Sequence, residues 1–211
     1  RVLGEFPSVH QTFNVVPSMM SQVEEYASGK AADPFLRCAT KPAEELSSEE
    51  RAFVLQYFFQ ANPSRMIYRY PRYGVLYDDW LSSGRNVKRA RHLFGDQALR
   101  DLQVLSQLAW FDEEVQAADV EVRELIAKGR NYTLDDQAVM ARKQAEILGR
   151  VLPVYRDFAA RSQIEISTTP FYHPILPLLC DSDIAGVSHP HVPLPSRFRF
   201  REDAEHQLER A

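Results

Sequence analysis

The densest set of groups able to do chemistry lies in residues Ser162 to Leu179, SQIEISTTPFYHPILPLL. Glu165 sets one carboxylate between two isoleucines. The hydroxyl of Thr169 and the imidazole of His173 follow a few residues on. β-Branched Ile164, Ile166 and Thr168 favour a strand. Alternation then puts Gln163, Glu165 and Ser167 on one face and Ile164, Ile166 and Thr168 on the other. Pro170 lacks a donor and Pro174 restricts His173, so the ladder stops there. A carboxylate near a strand's C-terminal end, before a loop of hydroxyl, aromatic and imidazole groups, is how α/β proteins build sites. The same residues also suit an edge strand with a solvated glutamate and a proline-rich turn.

Other chemistry-bearing groups are weaker candidates. Asn14, near the end of an earlier strand, could contact a ligand or cap the following turn. His189-Pro190-His191 has no third ligand at metal spacing, which favours a solvated loop and no metal. Tyr68, Tyr70, Tyr73 and Trp80 could stack on a ring-shaped ligand, but such clusters are more often core. The basic run Arg85 to Arg91 reads as a solvated helix face. Net charge is −4 over 211 residues, with 45% apolar and 26% charged. Acidic and basic residues are interspersed, which argues against a nucleic-acid partner. No apolar run approaches the roughly 18 residues that suggest a membrane span. Cys38 and Cys180 lack metal spacing and fit free thiols of a cytoplasmic protein, with one disulfide left open.

The elements that must position these groups are mostly helical. Val9 to Val16 is a strand candidate, ended by Pro17-Ser18. Met19 to Tyr26 reads as a helix stopping at Gly29. Ser47-Ser48-Glu49-Glu50 is a capping box opening a helix with Phe53, Val54, Tyr57 and Phe58 at helical spacing. Gly95-Asp96 precedes a helix with Leu99, Leu102, Leu105 and Leu108 on one side. Thr133 starts the longest predicted helix, running to about Arg161 on one apolar stripe. Gly4 reads as a helix stop, and Glu202 to Ala211 as a helix with no stop signal, so we expect a piece of a longer protein. Two strands separated by a helical excursion imply a parallel pair with a crossover. Two strands alone do not make a stable sheet. The expected completion is a βα barrel or open α/β sheet with a helical insertion.

Gln163-Ile164-Glu165-Ile166, followed by Phe171-Tyr172-His173-Pro174-Ile175-Leu176, resembles a signature region of glycoside hydrolase family 57. Thr12-Phe13-Asn14-Val15-Val16-Pro17-Ser18 resembles the preceding strand in its amylase-like, large-insertion branch. Lys41 to Leu46, Tyr70 to Tyr73 and Leu108 to Asp112 are similar as well. The resemblance implies an α/β fold: an incomplete (β/α)7 barrel over residues 1–211, truncated at both ends, with a helical insertion over 30–132. It implies α-glucan or maltooligosaccharide substrates, retention of configuration and no cofactor. Retention needs two carboxyl groups about 5 Å apart. The family's nucleophile, in a Trp-x-x-Glu motif, and its later aspartate acid/base have no counterpart in place here. The resemblance therefore implies no catalytic residue in this chain. It implies substrate contacts at Glu165, His173, Thr169 and Asn14, and a partner in the remainder of the same catalytic domain. His173 stands where some members have glutamate, and Ser162 where glycine is usual. His10-Gln11 is followed by Thr12 rather than proline, and Trp110-Phe111-Asp112-Glu113 precedes the Glu165 strand, so neither fits the family motif it mimics. A glucanotransferase or branching enzyme on the same barrel is the first alternative, a non-catalytic helical interaction module the second.

Overall fold

A computed structural model describes residues 2–211. The chain divides into two compact units, one made of residues 2–28 with Leu148–Ala211, the other of Gly29–Ile147.

The first unit holds both strands, β1 (Gln11–Asn14) and β2 (Ile164–Ser167), which pair in parallel. The register sets Thr12 opposite Glu165 and Asn14 opposite Ser167. Val15 N–H extends the ladder by donating to Ser167 O at 2.9 Å. On the apolar face, Phe13 meets Tyr155 edge-on at 5.7 Å between ring centroids. Tyr155 belongs to helix Val151–Ala160, which leads directly into β2. That helix ends in a Schellman motif: Ser162 N–H donates to Ala159 O and Gln163 N–H to Phe158 O. Helix Pro17–Ala27 starts on a proline just after β1, and helix Arg201–Glu209 lies near the C-terminus.

The second unit is helical. The capping box is formed, with Glu50 N–H donating to Ser47 Oγ and Ser47 N–H to the Glu50 carboxylate, and it opens helix Ser48–Tyr57. Helix Asp96–Leu108 runs through the core, burying Leu99, Leu102, Leu105 and Leu108. Tyr70, Tyr73 and Trp80 are buried beside it, so they are core and not a sugar platform. Tyr68 stays exposed and donates to Asp78. Asp101 is fully buried and accepts from Arg72, Gln97 and the Tyr132 N–H, which satisfies its charge in place.

Two expectations need correcting. The single long helix from Thr133 to Arg161 is two helices, Leu134–Gly149 and Val151–Ala160, separated at Arg150. Pro153 accounts for the break: it has no N–H to give the Gly149 carbonyl, and its ring crowds that carbonyl. At the N-terminus, helix Val2–Glu5 runs through Gly4. Gly4 does not have the left-handed φ of a stop, and Pro7 follows the helix instead. Arg1 lies outside the described residues.

Candidate functional site

The site is built on the polar face of β1 and β2. Because side chains alternate, Thr12, Asn14, Glu165 and Ser167 share that face. They are bonded in cross-strand pairs: Thr12 Oγ1 donates to Glu165 Oε2 at 3.1 Å, and Asn14 Nδ2 donates to Ser167 Oγ at 3.2 Å. All four side chains are exposed. Asn14 therefore does not cap the following helix, whose N-cap is Val16 with no side-chain bond. Glu165 is the second of four strand residues, so it lies inside the strand and not at its end as the sequence suggested.

Beneath this face the chain is pinned. Gln163 is buried, and its amide donates to the carbonyls of Leu3 and Phe6 at 2.7 and 3.0 Å, with a longer contact to that of Val9. His10 Nδ1 lies 2.9 Å from Ser162 O. An open recess of about 390 Å³ beside the strand starts is lined by His10, Thr12, Gln163 and Glu165 among others.

Thr169 and His173 lie beyond the other end of β2, and no hydrogen bond joins either to Glu165 among the described residues. Thr169 Oγ1 is buried without a protein partner. His173 is exposed and takes the left-handed conformation, φ 56°, in a turn closed by its N–H donating to Pro170 O. The preceding Phe171 is buried and held from both sides. Its carbonyl accepts from Ser18 N–H, its N–H donates to Gln207 O, and the Arg210 guanidinium lies 3.8 Å over its ring. Tyr172 N–H donates to Gln207 Oε1 at 2.7 Å.

Thr12, Gln207 and Arg210 were not foreseen. Thr12 could have been found from the register of the two strands; nothing in local sequence links Gln207 or Arg210 to a turn more than 30 residues away. Among the described residues no group of three metal-ligating side chains gathers, and the His189 ring lies 2.9 Å from Ser188 Oγ through Nδ1. No helix is long and apolar enough to cross a membrane. Cys38 is buried and Cys180 exposed, both as free thiols. Burial raises the Cys38 thiol above its ordinary pKa, so it stays protonated.

The polar strand face thus sets a carboxylate, an amide and two hydroxyls side by side, groups that can both donate to and accept from hydroxyls. The model for glycosyl hydrolase family 57 matches residues 5–211, and the chain belongs to that family. Its members are glycoside hydrolases and related glucan-active enzymes, so a carbohydrate is the substrate class. No curated protein and no solved structure matches the chain significantly.

Proposed function

We propose that this chain forms the substrate-cleft part of a retaining glycoside hydrolase acting on α-glucans. Glu165 and Asn14 hydrogen-bond sugar hydroxyls, with Thr169 and His173 as further contacts. The single observation carrying this reading is the paired polar face, Thr12 to Glu165 and Asn14 to Ser167. A sugar hydroxyl both donates and accepts, and this face offers carboxylate acceptors beside amide and hydroxyl donors. Thr169 Oγ1 supports the reading too, since a buried hydroxyl without a protein partner favours an incoming acceptor or donor.

The nucleophile and the acid/base come from the remainder of the catalytic domain, in which β1 and β2 are two barrel strands and the helical unit is an insertion. Two observations favour this. Among the described residues the sheet has two strands, and Ile166 remains exposed on its apolar face. Trp110-Phe111-Asp112-Glu113, the one local match to Trp-x-x-Glu, sits in a turn entering helix Glu113–Ala118 and not on a strand. This chain alone is then inactive, and measurable glucan hydrolysis by it would overturn the assignment.

In the complete enzyme, Glu165→Gln should lower kcat/KM by about a hundredfold, the scale seen when one preorganised polar contact is lost. Its far-UV circular dichroism should match the parent's, since Glu165 is exposed. An unchanged rate would demote Glu165 to scaffold. Product analysis on maltooligosaccharides separates the hydrolase from a 4-α-glucanotransferase or branching enzyme, which would give longer or branched chains.

A further inference from the structure

The helical unit carries a second pocket that the strand site does not use. It encloses about 220 Å³. That is below the roughly 300–1,000 Å³ of drug-sized sites and suits a single ring. Its aromatic walls are Phe35, Tyr57, Phe58 and Trp110, and its polar groups come from Gln60, Ser106 and Gln107. No lining residue is charged, which disfavours phosphate or carboxylate ligands. Trp110 is 67% exposed and Phe35 42%, although Leu108, Ala109 and Phe111 around the tryptophan are all buried. A lone exposed aromatic needs no explanation. This one shares a concave site with two further exposed or half-buried rings and a fixed amide.

The amide is Gln107. Its Nε2 donates to Ser106 Oγ at 3.2 Å, and its Oε1 accepts from Gln144 Nε2 at 2.8 Å. A glutamine amide offers two donors and two acceptor sites. One of each is used, so one of each remains for a ligand in an orientation already set. Gln144 Oε1, next in the same chain of amides, is buried with no partner. The aromatic base is set as well: the rings of Phe35 and Phe58 stack at 6.1 Å, and Phe35 meets Phe53 edge-on at 4.9 Å. Rigid rings give contact area at low entropic cost. A pyranose ring matches this lining, with an apolar C–H face for the aromatics and a rim of hydroxyls for the amide.

We propose that this pocket is a carbohydrate subsite holding one glucosyl ring of an α-glucan, separate from the strand site. The identity of the sugar rests on the α-glucan reading above. The test is calorimetric titration of this chain with maltohexaose and, in parallel, cellohexaose. Trp110→Ala and Gln107→Ala should each weaken maltohexaose binding by about tenfold, with unchanged circular dichroism. Glu165→Gln should leave a Trp110-dependent binding event in place. Maltohexaose binding that survives both pocket substitutions but is lost in Glu165→Gln overturns the subsite and leaves the strand reading standing. Binding of cellohexaose alone, sensitive to Trp110→Ala, supports the subsite and overturns the α-glucan reading. No saturable binding of either sugar overturns the subsite.

Discussion

Ser162 stands where the resembling family usually has glycine, and the structure gives the reason for glycine. Its φ is 56°, the left-handed conformation that closes the Schellman turn between helix Val151–Ala160 and β2. A side chain costs roughly 1–2 kcal/mol there, and glycine costs none. Ser162→Gly should therefore stabilise the strand-bearing unit by about 1 kcal/mol, read as a raised urea midpoint at unchanged slope. No gain would mean that the turn is held by other contacts, such as His10 against the Ser162 carbonyl. At this scale the sequence was informative where chemistry is local. Alternation was enough to put Glu165 and Ser167 on one face. It was not enough to find the hydrogen bond from Thr12 to Glu165, because that bond depends on a register between residues 153 positions apart. Nor does the helical spacing of the leucines mark Asp101, which the structure buries among Arg72, Gln97 and Tyr132.

Helix Ser48–Tyr57 was legible because a capping box is a four-residue pattern with its own hydrogen bonds, and both bonds form. Ser47→Ala removes the acceptor for Glu50 N–H and should cost about 1 kcal/mol, seen as a lowered thermal midpoint. Ser47→Asp should restore most of it, since a carboxylate caps equally well; failure of that rescue would show that packing and not capping sets this terminus. The long predicted helix fared worse. Its apolar stripe is continuous from Leu134 to Ala159, and a periodicity argument weighs side chains while Pro153 acts through the backbone. The parallel pairing of β1 with β2 was expected from the helical excursion between them, and the pair forms. The first strand is shorter than residue type predicts: Val9 and Val16 fit a strand, but the ladder runs from Gln11 to about Val15.

On the scale of the whole molecule, burial is uneven. The large core cluster lies entirely between Cys38 and Met140, in the helical unit. Among the described residues, buried hydrophobic side chains elsewhere are few: Val15, Ile164, Phe171 and Ala204. Composition could not reveal this, since apolar residues are spread along the chain and only the contacts decide which are covered. The helical unit also carries its most connected ion cluster at Lys143, whose ammonium lies 2.8 Å from Asp119, 2.8 Å from Glu121 and 3.1 Å from Glu146. Hydrogen bonds from Lys143 hold the Asp119 and Glu121 carboxyls below their ordinary values of 3.8 and 4.5. Arg142, then Lys143, does the same for Glu146. Carboxylates depressed in the folded state bind fewer protons than in the unfolded chain. Their stabilisation is complete above the ordinary values and is lost as pH falls through them toward the folded ones. Lys143 is shifted upward by the same contacts, so its share is present below 10.5 and is lost only in strongly alkaline solution. Urea unfolding of the helical unit should accordingly hold a constant midpoint near neutrality and decline from about pH 5 to pH 3. Lys143→Met, which keeps the length of the buried stem, should lower the neutral midpoint and flatten that acid limb. The measurement is the midpoint followed by fluorescence of Trp80, which is buried in this unit, in a Trp110→Phe background. An acid limb of equal slope in the Lys143→Met protein would assign the acid sensitivity to other carboxylates and remove the cluster from the account.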